Sequence, residues 1–317
     1  MTAVAALRVG TRASALARAQ TGAVVAALGL PEAAVTTVAI STEGDRSSAA
    51  LAQIGGTGVF VSALRDALVS GHIDVAVHSY KDLPTAPDDR VHVAAVPVRG
   101  DARDVLVARD GLTLGELPDG ARVGTGSPRR AAQLRALGLG LDVVAVRGNV
   151  DTRLARVADG SLDAVVLSWA GLARLRRLDA VTDVLDLDAW PTAAAQGALA
   201  IEVREADADP ATPLGAVVAA LTDPVARDAA VAERRVLGLL EAGCAAPIGV
   251  ASTVEAGSAR IWASVHRPGG GARLDRSRSV VFDEDARGVA LSGAAADLAA
   301  DLLASGAADL APVGAPA

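Results

Sequence analysis

Short apolar runs alternate with helix-forming segments along most of this chain, and that alternation restricts the possible folds more than any other feature. The predicted strands span 4–10, 35–40, 73–77, 91–97, 104–108, 121–125, 142–146, 162–167 and 198–203. The predicted helices between them span 14–28, 59–70, 127–137, 150–158 and 169–177. Strands separated by helices favour a mostly parallel sheet. Because the alternation restarts at residue 104, we predict two α/β domains of similar size.

The pattern changes after residue 223. A helix at 224–241 is followed by three strands with hairpin-like joins, which favour a small antiparallel sheet, and then by a helix at 285–304. The three predicted strands are 248–254, 259–266 and 277–283. We therefore predict an α/β fold of three domains: 1–97 with 198–219, 98–197, and a small α+β domain at 220–317.

Composition excludes several classes of protein. Apolar residues make up 51% of the chain but aromatic residues only 2%, so the cores must be built from Ala, Val and Leu. The net charge of −7 argues against general nucleic-acid binding. We find no apolar run of about 18 residues and no signal-peptide pattern, so we expect no membrane contact and a cytoplasmic location.

The segment 73–84 carries the first candidate site. An apolar strand runs into the polar turn His78–Asp82, and Pro84 then stops the strand. Lys81 is the only lysine among 30 basic residues, and Asp82 stands beside it. Ligands bind at the carboxyl ends of such strands. The turn is therefore a candidate site, although an incidental surface lysine and a turn-capping aspartate remain open alternatives.

Arginines recur where strands pass into helices. Arg12 precedes the first helix, Arg129 and Arg130 lie in the first turn of another, and Arg147 and Arg153 flank a third helix start. Helix starts bind anions through free N–H groups, and arginine forks add bidentate carboxylate or phosphate binding. We predict a cleft between two domains for a ligand with several negative groups; solvated surface arginines are the alternative.

Cys244 is the only cysteine, in a glycine-bracketed loop, Gly243–Gly249. A buried structural thiol, a covalent anchor and a cysteine hydrolase using a distant histidine such as His78 all remain open. The histidines show no metal-ligand spacing, so we expect no metal.

Together these motifs resemble the porphobilinogen deaminase (hydroxymethylbilane synthase) family. The matching stretches are RVGTRAS (8–14), GTGVF (56–60), HSYKDLP (78–84), GTGSPRR (124–130), RGNVDTR (147–153), AAQGA (194–198) and GCAAPIG (243–249). They follow the family's order. The chain departs from the common family pattern at Thr57, Tyr80 and Pro128, which bears on loop function and rate more than on the type of reaction.

The resemblance implies a transferase of tetrapyrrole biosynthesis. It would polymerise four porphobilinogen molecules head to tail, with loss of ammonia, on a covalently bound dipyrromethane cofactor. It also implies two domains like those of periplasmic binding proteins, a third domain with the cysteine loop, and a flexible loop at 41–57. The alternative from a different class is a non-catalytic small-anion binding or effector-sensing protein. A monomer is expected.

The resemblance also implies roles for individual residues. Asp82 would be the catalytic carboxylate that stabilises the cationic azafulvene formed as ammonia leaves. Cys244 would hold the cofactor as a thioether. The other implied cofactor-binding residues are Lys81, Ser14, Thr125, Ser127, Arg129, Arg130, Arg147 and Arg153. The implied substrate-binding residues are Arg8, Arg12, Arg174 and Gln196.

Overall fold

The computed structural model describes residues 6–41, 61–242 and 246–313. These residues form two compact units: Met1–Gly100 with Ala198–Arg227, and Asp101–Gly197 with Asp228–Ala317. The division into three domains stays a prediction. Cys244 and most of the predicted 41–57 loop lie outside the described residues.

Strands and helices alternate as the sequence indicates. The strands are β1 (Leu7–Arg12), β2 (Val35–Ile40), β3 (Val75–Ser79), β4 (Val91–Ala95), β5 (Asp104–Ala108), β6 (Arg122–Thr125), β7 (Asp142–Ala145), β8 (Ala164–Ser168), β9 (Asp183–Val184), β10 (Leu199–Arg204), β11 (Ile248–Glu255), β12 (Ser258–His266) and β13 (Arg273–Val281). The main described helices are α1 (Ala15–Ala27), α2 (Ser62–Val69), α3 (Pro128–Ala136), α4 (Val150–Ala158), α5 (Trp169–Arg174), α6 (Pro213–Ala219), α7 (Pro224–Leu239) and α8 (Arg287–Ala304).

Each unit contains a five-stranded sheet. The first has the order β2-β1-β3-β10-β4 and the second β7-β6-β8-β5-β9. In the first sheet β10 runs antiparallel to both neighbours, and in the second β5 does the same. Four strands of each sheet therefore share one direction and the fifth is reversed. The predicted α/β class is confirmed, with a mixed sheet in each unit.

Helices cover both faces of the first sheet. Val9, Val75 and Val77 pack with Val24 of α1, while Ala76 and Ile73 pack with Leu64 of α2. Successive side chains of a strand point to opposite faces, so a continuous Val/Ala run such as β3 fits a strand buried on both sides. Each fully buried Val or Leu contributes about 1.5–3 kcal/mol, which lets a core nearly free of aromatic residues form.

The second unit also contains the predicted three-stranded antiparallel sheet, β11-β12-β13, packed against α8. Its last strand begins at Arg273, earlier than the predicted 277. The strand alternates exposed and half-buried residues at the sheet edge, and its charged positions concealed it from a search for apolar runs. Over the described part of the chain, no helix is long and apolar enough to cross a membrane.

Candidate active site

In the first unit, two neighbouring parallel strands end at one edge of the sheet. β1 and β3 pair with Val9 opposite Val75, so Arg12 and the residues after Ser79 lie at the same edge. Ser14 follows β1 and caps α1, its Oγ accepting a hydrogen bond from Ala17 N at 3.2 Å. This cap is the local reason why the helix begins there.

The turn after β3 presents Asp82. Tyr80–Asp82 form a single 3₁₀ turn, held by hydrogen bonds from Tyr80 N to Ala198 O (3.0 Å) and from Leu83 N to Tyr80 O (3.2 Å). Tyr80 and Leu83 are buried on either side, while Lys81 and Asp82 are half-buried. Among the residues that the structure describes, none forms an ion pair or a side-chain hydrogen bond with the Asp82 carboxylate. That carboxylate is thus available to a ligand.

Arg8, predicted to bind substrate, lies at the other end of β1. Its guanidinium binds Asp74 through Nε (3.0 Å) and Nη2 (2.7 Å), and Asp74 directly precedes β3. A strand rises about 3.3 Å per residue, so four residues place Arg8 roughly 13 Å from Arg12. Arg8 is thus held at the opposite end of β1 from Arg12, and its contact with substrate stays a prediction.

In the second unit, β6, β7 and β8 run parallel and end together. Thr125 ends β6 and is buried, and its Oγ1 accepts a hydrogen bond from Ser127 N at 3.2 Å. The Ser127 Oγ accepts from Arg130 N at 3.4 Å and caps α3, with Pro128 in the first turn. Both hydroxyls shape the helix start, and their contact with the cofactor stays a prediction.

Arg129 and Arg130 bind one buried carboxylate, that of Asp104. Arg130 donates from Nε (3.0 Å) and Nη2 (2.6 Å), and Arg129 donates from Nη2 (2.8 Å). Trp190 Nε1 adds a fourth hydrogen bond at 3.0 Å. Despite complete burial, these cations hold the pKa of Asp104 far below its ordinary value. The two forks therefore face into the protein, which differs from the predicted open carboxylate-binding arginines.

Gln196 joins the same network. Its Nε2 donates to Asp104 Oδ1 at 2.7 Å and to Ala102 O at 2.8 Å, and the residue is 1% exposed. The structure thus places this amide inside the second unit, holding the start of β5. It gives no support to the predicted substrate contact.

Arg147, Arg153 and Arg174 are among the arginines of the second unit that form no ion pair with a described carboxylate. Arg153 Nε donates to Gly148 O at 3.0 Å, and Arg174 Nη2 donates to Gly197 O at 2.6 Å. Burial and the charges of Arg130 and Arg147 lower the pKa of Arg153 to about 10. Burial also lowers the pKa of Arg174. A buried guanidinium without a carboxylate partner favours binding of an anionic group.

Other arginines of the protein form close ion pairs. Arg65 binds Glu202, Arg109 binds Asp163 and Arg287 binds Asp228, each through a close ion pair. Arg147, Arg153 and Arg174 lie instead just after β7, in α4 and in α5. Which arginines bind an anionic ligand stays a prediction.

Asp104 is the residue that sequence reasoning missed. It begins β5, which runs antiparallel to β8 with Asp104 opposite Ser168. Its amino end therefore lies at the same edge as the carboxyl ends of β6 and β8. The available signal was an acid at the start of an otherwise apolar strand, because a buried carboxylate requires partners.

Comparisons with known proteins agree with this geometry. A family model described as "Porphobilinogen deaminase, dipyromethane cofactor binding domain" matches residues 7–212, and one for the C-terminal domain matches 228–302. Porphobilinogen deaminase of Leifsonia xyli is 55% identical over 314 residues, covering 97% of this chain and 95% of that protein. The enzyme of Mycobacterium tuberculosis strain H37Rv is 57% identical over 250 residues, covering 78% of this chain and 79% of that protein.

Solved structures give a weaker likeness. The periplasmic aliphatic sulphonate binding protein SsuA of Escherichia coli aligns with a TM-score of 0.39 at 19% identity, covering 73% of this chain and 69% of that one. That score is too low to support any statement about ligand or function. The sequence relatives and the two matched domains are sufficient: this chain belongs to the porphobilinogen deaminase family.

Proposed function

We propose that this chain joins four porphobilinogen molecules head to tail and releases the product as hydroxymethylbilane. Each addition releases one ammonia, and one water is consumed when the tetrapyrrole is freed. Membership of the porphobilinogen deaminase family supports this activity. It also favours an enzyme over the alternative of a non-catalytic anion-binding or effector-sensing protein.

The cluster of cations without anions carries the proposal. Every porphobilinogen brings an acetate and a propionate, and a growing chain accumulates these charges. Arg147 and Arg130 lie near Arg153, and burial together with these like charges lowers the pKa of Arg153 to about 10. A guanidinium fork binds a carboxylate bidentately, so we assign the carboxylates to Arg147, Arg153 and Arg174.

The same residues fit a dipyrromethane cofactor, whose two pyrroles carry acetate and propionate groups of the same kind. When bound, this cofactor supplies the free pyrrole carbon to which the first substrate is joined. We propose that Cys244 holds it as a thioether. Lys81, Ser14, Thr125 and Ser127 are further proposed contacts, with Arg12 on the substrate.

Arg129 and Arg130 take a revised role. Because both bind Asp104, we propose that they act mainly as fixed positive charge and as the scaffold of the α3 start. Arg130 contributes to the field felt by Arg153. If Arg130 also contacts a ligand carboxylate directly, it must do so through N–H groups that are not already donated to Asp104 or to Val166 O.

Asp82 is the proposed catalytic residue. As ammonia leaves porphobilinogen, positive charge develops on the pyrrole and its exocyclic carbon. A fixed carboxylate with no protein partner stabilises this charge without first breaking another interaction. Asp82 meets this requirement among the described residues, whereas Asp74 and Asp104 are already bound by arginine.

The test compares Asp82→Asn with Asp89→Asn, an exposed acid seven positions further along the chain. We expect Asp82→Asn to retain its fold and its dipyrromethane mass but to lose at least about 100-fold in ammonia release. Asp89→Asn should retain wild-type turnover. Wild-type turnover in Asp82→Asn would remove Asp82 from the mechanism.

Intact-protein mass tests the anchor separately. The purified chain should carry the added mass of a dipyrromethane, and Cys244→Ala should be folded and lack it. Unchanged dipyrrole mass in Cys244→Ala would refute the anchor, and absence of the mass from the wild-type chain would count against the enzyme. We also propose a cytoplasmic monomer, which light scattering after size exclusion can check for oligomeric state.

A further inference from the structure

Polar side-chain contacts hold the end of β3, the strand that leads to Asp82, on both faces of the sheet. Successive side chains of β3 point to opposite sides of the sheet, so Ser79 faces α1 while His78 faces α2. Ser79 Oγ accepts a hydrogen bond from Gln20 Nε2 of α1 at 2.8 Å, and Gln20 is itself buried. This fixes one face of the strand end, three residues before Asp82.

A buried carboxylate fixes the other face. His78 Nε2 lies 3.2 Å from Oε2 of Glu202, within ion-pair distance but without the alignment of a hydrogen bond, and both side chains are almost fully buried. β10 pairs with β3 so that Ala200 lies opposite His78 and Glu202 opposite Ala76. Glu202 is therefore the diagonal cross-strand neighbour of His78 on the same face. Burial tends to raise the pKa of Glu202, but His78 and Arg65 outweigh it and lower that pKa to about 2.

Glu202 does not need His78 for its own neutralisation. Arg65 of α2 binds it with two hydrogen bonds, from Nε at 3.1 Å and Nη2 at 2.6 Å. A pair of this kind already satisfies a buried carboxylate. The imidazole contact therefore adds a connection between the ion pair and the strand end.

We propose that His78 is a positioning residue for Asp82, and that its Nε2 contact with Glu202 holds the end of β3 in the orientation that aims the carboxylate. The inference rests on the proposed catalytic role of Asp82. His78 touches neither substrate nor cofactor in this assignment. Its effect should fall on kcat, while KM, which depends on the arginines proposed to bind the substrate carboxylates, should change little. Displacements of about 1 Å cost roughly 100-fold in rate, so we expect a 10- to 100-fold loss when the contact is removed.

Three variants of His78 test the geometry. The amide nitrogen of Gln occupies the place of Nε2, whereas that of Asn occupies the place of Nδ1. His78→Gln should therefore retain kcat within about threefold, while His78→Asn and His78→Leu should lose at least about tenfold. Equal kcat values for His78→Gln and His78→Asn would overturn the proposal, as would wild-type turnover in His78→Leu.

A double-mutant cycle separates positioning from loss of stability. Asp82→Glu keeps a carboxylate but displaces it by one methylene. The orientation of the end of β3 should then contribute little to the rate. In the Asp82→Glu protein, His78→Leu should lower the single-turnover rate less than about threefold, as measured by mass spectrometry. The same fold-loss in both backgrounds would show a general structural effect and refute the proposal.

Folding and cofactor content provide the accompanying controls. Thermal unfolding and intact mass should show folded, dipyrromethane-bearing protein for His78→Gln and His78→Asn, so the comparison between them stands even if His78→Leu does not fold. If Asp82→Asn keeps full activity, the proposed catalytic role fails. If Asp82→Asn is inactive while every His78 variant is normal, only the positioning role fails.

Discussion

The crowded cations of the second unit should reduce the stability of the cofactor-free protein. Burial and the charges of Arg130 and Arg147 lower the pKa of Arg153 from its ordinary value to about 10. At about 1.36 kcal/mol per pKa unit, this fall of about 2.5 corresponds to roughly 3 kcal/mol of unfavourable energy for the charged side chain. Partial exposure and the hydrogen bond to Gly148 reduce the net value to about 1–2 kcal/mol.

Arg153→Met should therefore stabilise the protein while it impairs function. We expect the free energy of unfolding of the Cys244→Ala protein, which lacks cofactor, to rise by about 1–2 kcal/mol when this change is added. Urea unfolding at pH 7.5 measures it. In the otherwise wild-type chain the same substitution should raise KM for porphobilinogen about 10- to 100-fold, because a charge-assisted hydrogen bond is lost.

Two control substitutions sharpen the test. Arg177 forms an exposed ion pair with Asp151, so Arg177→Met should change stability by less than about 1 kcal/mol. Arg130→Met removes a partner from the buried Asp104 and should cost about 3–5 kcal/mol. A loss of stability in Arg153→Met similar to that in Arg130→Met would refute the view that Arg153 stands uncompensated.

Three further predictions follow from the contacts. Arg8→Ala should leave kcat and KM within about twofold of wild type, since Arg8 binds Asp74 away from the site; a large rise in KM would restore its predicted role. Asp104→Asn should lower the free energy of unfolding by about 3–5 kcal/mol, measured by urea titration, by leaving two buried guanidinium groups uncompensated; a loss below about 1 kcal/mol would contradict this. Burial lowers the pKa of His266 from 6.5 to about 4, so the unfolded state binds more protons between these values. The resulting stability is complete above pH 6.5 and is lost as pH falls towards 4; His266→Gln should flatten this decline in urea midpoints, and an unchanged slope would contradict it.

Much of the fold was predictable because its signals are local. Ser14, Ser127 and Asn149 each cap the helix that follows them, and the helix over 150–158 has the predicted bounds. The buried strands could be identified from continuous Val and Ala runs. The last strand of the small sheet was placed too late, because its edge position leaves charged residues along one face. Strand direction was also only partly predictable, since nothing within β5 or β10 itself marks the reversal.

The candidate site also has features that the sequence predicts and features that it does not. The exposed turn at Asp82 could be read from a strand, a polar turn and a proline in succession. Which arginines would remain unpaired could not, because each carboxylate partner comes from elsewhere in the chain. Asp104 is 25 residues from Arg129, and Glu202 is 137 residues from Arg65.

The amino-acid sequence by itself determined where strands and helices begin, which turns carry polar groups, and the resemblance to a family. Those features depend on residues close together in the chain. The tertiary structure decided which charges cancel. It bound Arg129 and Arg130 to Asp104 and Arg8 to Asp74, and it left Arg147, Arg153 and Asp82 without carboxylate or cation partners among the described residues. Charge compensation depends on distances of a few ångströms between segments far apart in the chain, and only the folded chain sets those distances.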